Sequence, residues 1–221
     1  YAAGSGSGSF YREVARTADC APEDVVAGDL VLYNNQPGTV WGPEGEFVSA
    51  PRLDDLACVF ACTEGFLTAQ ERDMVPVLCV FDNEEIGSET KQGAASVFLP
   101  ETLAAISEAL GLSAQARRQA LAGSLLLSAD NGHAVHPNFP EKADPANRVY
   151  PNGGVVIKYS ANQKYTTTGL TAGLFQAICQ KAGVPVQVFA NRADEPGGST
   201  LGNLLGHQVS IPMVDIAMAQ L

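Results

Sequence analysis

Val75-Pro76-Val77-Leu78-Cys79-Val80-Phe81-Asp82-Asn83-Glu84-Glu85 decides the fold class. The run Val75–Phe81 is short and almost wholly apolar, the pattern of a strand covered on both faces. Asp82–Glu85 is polar and acidic, so the buried segment opens directly into a charged turn. The pattern recurs downstream, where Leu125–Ser128 reads as a strand running into Asp130, with His133 and His136 just beyond. Val155–Tyr159, Val186–Ala190 and Val209–Ile216 read as further strands, with Gly169–Ala182 a helix between two of them. Asp54–Gln70 carries Leu56, Val59, Phe60, Phe66 and Leu67 at helical spacing. Thr90–Leu121 is helical with interruptions at Pro100 and Gly111, and Ser113 is a candidate N-cap. Alternating strands and helices predict an α/β domain with a mostly parallel sheet flanked by helices.

Upstream the texture differs. The opening, Tyr1–Ser9, is mostly Gly, Ser and Ala and has linker composition. Tyr11–Cys20 reads as the end of a helix and Asp29–Asn34 as a strand. Asn34-Asn35-Gln36-Pro37-Gly38 is a turn sequence, and Glu46–Val48 returns as a second strand. A hairpin and part of a helix bury little by themselves. Residues 1–48 therefore read as an incomplete subdomain, and 49–221 as the main domain.

The whole chain has 221 residues, 46% hydrophobic and 17% charged, which is enough apolar side chain for a core and too little charge for a disordered polymer. Thirteen Lys+Arg against 24 Asp+Glu give a formal charge of −11. Such a surface repels phosphate backbones and anionic lipid, which argues against nucleic-acid and membrane-surface binding. No apolar run approaches the ~18 to 20 residues of a membrane-spanning helix, and no secretory signal pattern opens the chain. Cys20, Cys58, Cys62, Cys79 and Cys179 are odd in number and lack metal-clasp spacing. They read as reduced core thiols of a cytoplasmic protein.

In open α/β sheets, ligands bind outside the carboxyl ends of strands, and the acidic residues gather there. Asp54-Asp55 precedes the first long helix, Glu84-Glu85 follows one strand and Asp130 another. Any one of these alone reads better as a solvated loop residue or a helix cap. Together they suggest oxygen ligands for a divalent metal with imidazole support, because neighbouring carboxylates repel unless a cation or proton separates them. Of two adjacent glutamates, one can hold a cation while the other takes a proton from activated water.

Ser49-Ala50-Pro51-Arg52-Leu53-Asp54, Asp82-Asn83-Glu84-Glu85-Ile86-Gly87-Ser88, and Ser128-Ala129-Asp130 with His133-Ala134-Val135-His136-Pro137-Asn138 closely resemble the aspartyl aminopeptidase family of dinuclear zinc exopeptidases. Lys158 with Tyr165, and Gly197-Gly198-Ser199-Thr200-Leu201-Gly202, continue the resemblance in the same order, from Asp29 to the last residue. It implies a zinc-exopeptidase-like catalytic domain that removes N-terminal Asp or Glu from peptides with two Zn²⁺ ions. Asp54 resembles the bridging ligand, Glu85 and Asp130 the ligands of one metal each, and Glu84 the general base. Asp55 stands where the family often has Asn, and is expected to orient Asp54. Asp82 either plays a similar supporting role or caps a turn.

Lys158 matches the position associated with acidic specificity, and Tyr165 could donate to a substrate carbonyl or carboxylate. His133 and His136 match positions near the substrate, while His207 falls at a helix end with a surface role. The Gly197–Gly202 run is expected to be a close-approach loop beside the site. The family supplies one His to each metal, one from before this stretch and one from just past Leu221. Residues 11–47 resemble the tail of an inserted, β-rich dimerisation domain, so the complete protein is expected to be a homo-oligomer. Two readings follow: a metalloaminopeptidase, or a truncated, non-catalytic scaffold of the same fold whose metal site is incomplete. The first implies peptide substrates and zinc; the second predicts weak metal binding and little activity for this chain alone.

Overall fold

The computed structural model describes residues 8–70, 73–195 and 197–221. The Gly/Ser-rich start, up to residue 7, lies outside the described residues. The chain separates into two compact units, Tyr1–Pro51 and Arg52–Leu221.

In the first unit, helix α1 spans Gly8–Ala18, and strands β1 (Thr39–Trp41) and β2 (Phe47–Ser49) pair antiparallel with Trp41 opposite Phe47. Among the described residues the expected strand Asp29–Asn34 makes no ladder. Asn34 does turn the chain, its Oδ1 accepting the Gln36 N–H at 2.9 Å. The hairpin, however, reverses at Gly42–Glu46, where Gly42 (φ 99°) and Gly45 (φ 68°) supply the positive φ a tight reversal needs. Aromatic stacking fixes that register. The Trp41 and Phe47 rings lie 4.7 Å apart, and Trp41 Nε1 donates to Ser49 Oγ at 2.7 Å.

The second unit is built on a four-stranded sheet in the order β3-β6-β4-β5. Its strands are β3 (Leu126–His133), β4 (Val155–Tyr159), β5 (Val186–Ala190) and β6 (Met213–Gln220). β3–β6 and β4–β5 are parallel, and β4 runs antiparallel to β6. Helices α2 (Leu53–Thr68), α3 (Phe98–Ala109), α4 (Ala114–Ala122), α5 (Gly169–Ala182) and α6 (Leu201–Gln208) complete it. Strand β3 continues past Ser128 through Asp130 because β6 offers it a full ladder, from Leu126↔Met213 to His133↔Gln220. β6 starts at Met213, not Val209, because the Val209 N–H closes the end of α6 on the Leu205 carbonyl.

The expected strand Val75–Phe81 is corrected. It is extended, but among the described residues no strand pairs with it. Cys79 and Phe81 pack against the core, while Val75, Val77 and Val80 are exposed. An apolar run forms a strand only where an edge is free to receive it, and that condition is non-local. Pro100 does not interrupt its helix either. It sits in the first turn of α3, where no intrahelical N–H is required. Ser113 does cap α4, its hydroxyl accepting the Ala116 N–H at 3.1 Å. The thiols are all free; Cys58 and Cys179 are buried, whereas Cys20 is exposed and not a core residue.

Strand alternation sorts the sheet into two faces. Ile157, Val214 and their neighbours Val155, Tyr159 and Ile216 pack against Ala172, Phe175 and Cys179 of α5. Thr168 starts α5 with a reciprocal capping box to Thr171. On the other face Met213 packs with Leu99, Leu205 and Val209, and Val156 with Ala217 and Val149. That second face also carries the polar residues. Asp215 lies between Met213 and Ala217, Ser128 pairs with Asp215, and Asp130 pairs with Ala217. Lys158 follows Val156 on the same side of β4. No helix among the described residues is long and apolar enough to cross a membrane.

Candidate metal centre

Asp54, Asp55 and Asp130 each offer a carboxylate oxygen, and these oxygens lie within 4.8 Å of one another. The chain brings them together from two directions. Arg52 takes the left-handed conformation (φ 62°) and Asp54 a non-helical one, so both aspartates stand at the entrance of α2 before the regular helix begins. Asp130 comes from inside β3. Cys58, one turn into α2, donates its thiol to the Asp130 carbonyl at 3.0 Å and ties the two elements together.

The electrostatics are those of a site short of positive charge. Burial first, then the nearby Asp130, pushes the Asp54 carboxyl above its ordinary value. Burial, and again Asp130, raises Asp55 to about 7. Asp55 Oδ1 is buried with no hydrogen-bond partner, a state that disfavours the fold unless a proton or cation joins it. Lys158 supplies part of the missing charge. It is buried, and its Nζ donates to Asp130 Oδ2 at 3.0 Å and to the Asn131 carbonyl at 2.8 Å. Gathered carboxylates with one orphaned buried oxygen fit a divalent cation, and they supply the carboxylate ligands of a zinc site without its imidazoles.

Glu84 and Glu85 lie in a 3-10 turn, Glu84–Ile86, entered through Asn83 in the left-handed conformation. Asn83 Nδ2 donates to Thr90 Oγ1 at 2.9 Å and steadies the turn. Burial first, with contributions from Asp130, Glu85 and Asp54, raises the Glu84 carboxyl, so it faces the same acidic group. Glu85 is exposed and adds to the raised carboxyl of Asp54, but it is not among the three that gather within ligand distance. In this structure the carboxylate oxygens within ligand distance of one another are those of Asp54, Asp55 and Asp130, with Glu85 outside that set. The turn carrying Glu85 follows the 75–81 segment, which pairs with no strand among the described residues. Asp82 Oδ1 accepts the Asn83 N–H at 2.7 Å just ahead of that turn.

Tyr165 is buried, with Lys158 Nζ 5.7 Å from its ring centroid, and its Oη accepts from Asn191 Nδ2 at 3.2 Å. His133 is exposed at the end of β3, and His136 Nδ1 accepts the Asn138 N–H at 3.1 Å. Neither joins the acidic group among the described residues. His207 is exposed in the last turn of α6, as expected. Two residues without a sequence signal orient the site. Gln220 donates from Nε2 to Asp54 Oδ2 at 3.1 Å and accepts from Asn131 Nδ2 at 2.7 Å. Only the β3–β6 ladder, which pairs the ends of both strands, brings these amides to Asp54.

A "Probable M18 family aminopeptidase 2" of Clostridium novyi is 43% identical over 205 residues, covering 93% of this chain and 47% of that protein. Its counterpart in Mycobacterium leprae is 41% identical over 218 residues, covering 99% of this chain and 51% of that protein. The chain thus spans about half the length of the curated relatives it matches. Among solved structures, the S. cerevisiae mApe1 dodecamer superposes with a TM-score of 0.83 at 30% identity, over 96% of this chain and 48% of that one. The family described as Aminopeptidase I zinc metalloprotease (M18) matches residues 5–221, and the chain belongs to it.

Proposed function

We propose that this chain forms the carboxylate-bearing part of a dinuclear zinc aminopeptidase that removes acidic residues, Asp or Glu, from peptide N-termini. One observation carries the reading: three carboxylates meet beside a glutamate of raised pKa, with a buried lysine at their edge. Asp54 would be shared by two Zn²⁺ ions, with Asp130 and Glu85 holding one each and Asp55 beside them. When bound, zinc supplies Lewis-acid activation of water and of the peptide carbonyl.

The chain's own residues do the rest. Glu84, its carboxyl raised above the ordinary value by burial and its acidic neighbours, is suited to take a proton on its carboxylate from the attacking water. It then returns that proton to the leaving amine. Lys158 spends two of its ammonium protons on Asp130 and Asn131, which leaves one for a substrate carboxylate. Tyr165, beside Lys158, would wall the pocket, and the same reading takes His133 and His136 as outer substrate contacts. A homo-oligomer in the cytoplasm is part of the same proposal; the S. cerevisiae relative is described as a dodecamer.

The donor set also favours a second reading, in which this chain by itself is a non-catalytic scaffold. The residues that gather are all carboxylates, whereas catalytic zinc usually has His among three protein ligands. Zinc binding by the chain alone is then weak and turnover absent.

The deciding experiment compares release of N-terminal Asp, Glu and Leu from otherwise identical peptides by the zinc-loaded protein that carries this chain, with and without Lys158→Met. Losing a charge-assisted hydrogen bond of roughly 1.5 to 3 kcal/mol lowers kcat/KM about tenfold to hundredfold on acidic termini alone. Equal loss on all three peptides removes Lys158 from substrate selection.

A further inference from the structure

Asp215 has no exposed surface and lies on the sheet face that carries Asp130 and Lys158. Its carboxylate is held by two loops. Oδ2 accepts from the Thr166 N–H at 2.5 Å and from Thr166 Oγ1 at 2.7 Å, while Oδ1 accepts from Thr200 Oγ1 at 2.5 Å. The Asp215 N–H donates in turn to Thr167 Oγ1 at 3.0 Å. Thr200 occupies the N-cap of α6, where a Thr hydroxyl ordinarily accepts a helix N–H. It makes no such bond here, because the hydroxyl is turned to Asp215. Gly202 permits the approach: a Cβ at that position would stand 2.7 Å from Asp215 Oδ1 and 2.9 Å from Ser128 Cβ.

The two loops so anchored enclose the selecting residues. Thr166 directly follows Tyr165, whose ring lies beside Lys158 and whose hydroxyl is bonded to Asn191. The loops are also tied at the surface, by Lys164 Nζ to the Gly197 carbonyl at 2.8 Å and by Asn203 Nδ2 to the Gln163 carbonyl at 2.8 Å. Asp215 is their buried tie, and its charge makes each of its bonds stronger than a neutral one.

We propose that Asp215 is a positioning residue for substrate selection: it draws the Thr166 and Thr200 loops to one point of β6, holds Tyr165 against Lys158, and so sets the affinity for the acidic N-terminal side chain. The proposal rests on the reading of Lys158 given above. Thr200→Val removes the bond to Asp215 Oδ1 and leaves the two to Oδ2, and Thr200→Ser retains all three. In the zinc-loaded protein, Thr200→Val is expected to raise KM for an Asp-terminated peptide by about tenfold, with kcat and the KM of a Leu-terminated peptide unchanged. Thr200→Ser restores the KM. Hydrogen exchange at residues 164–167 quickens in Thr200→Val and returns to normal in Thr200→Ser. Equal losses on both peptides, or an unchanged KM, overturn the positioning role. Lys158→Met, assayed alongside, separates the two ideas. If it leaves the acidic preference intact, the reading of Lys158 fails and takes this proposal with it. If it abolishes the preference while Thr200→Val leaves KM unaltered, the role of Asp215 alone is overturned.

Discussion

Two acidic corners share one face of the sheet and behave oppositely. At the first, Asp54, Asp55 and Asp130 crowd together, two of them with raised carboxyl pKa and one with a buried oxygen that nothing satisfies. At the second, Asp215 is wholly buried, yet each of its oxygens is satisfied by donors from Thr166 or Thr200. Asp130 pairs with Ala217, only one alternation along β6 from Asp215, so backbone position does not separate them. The number of donors does. A carboxylate with its full set of hydrogen bonds fixes structure, whereas carboxylates left facing each other keep free energy available for a cation.

The largest expected effect lies at the unsatisfied corner. Glu84→Gln in the zinc-loaded protein keeps its zinc, measured by elemental analysis, while kcat falls by roughly 10² to 10⁴. Loss of zinc instead would make Glu84 a ligand and blur the division of labour between the glutamates. Next comes the satisfied corner. Asp215→Ala strands the Thr166 N–H and two hydroxyls in a dry interior and is expected to cost about 3 kcal/mol in denaturant unfolding. A cost within error of zero would show that the bonds to Asp215 are incidental.

Zinc itself should act on one corner only. At a concentration of 100 Kd it stabilises the folded chain by about 2.7 kcal/mol, and chelation returns the melting temperature to its metal-free value. Asp54→Asn abolishes that shift, whereas Asp215→Asn keeps it; a shift that survives Asp54→Asn places the metal elsewhere. The smallest effect has the opposite sign to that of Asp215→Ala. Asp55→Asn relieves the crowding and is expected to raise the stability of the metal-free chain by about 0.5 to 2 kcal/mol. Destabilisation in the absence of metal would make the two corners alike.

Much of this was legible in the sequence. Val155–Tyr159, Gly169–Ala182 and Val186–Ala190 lie where periodicity and capping residues put them, because those signals are local. Asp54 and Asp130 were marked by their place after buried segments, and the structure does bring them together. The misreadings concern partners far along the chain. Val75–Phe81 has the composition of a strand but pairs with none among the described residues, and β3 outran its expected end because β6 happens to match it.

By itself, then, the amino-acid order determined the α/β class, the helix boundaries that capping fixes, and the residue types of a carboxylate metal site, since propensity, periodicity and side-chain chemistry act over a few residues. Tertiary structure alone decided which acids meet. It placed Asp55 in the group and Glu85 at its rim, turned Gln220 onto Asp54, tied Lys158 to Asp130, and gave Asp215 its donors from two distant loops. Charge and hydrogen bonding depend on distance in space and on burial, and neither is fixed until the strands have chosen their neighbours.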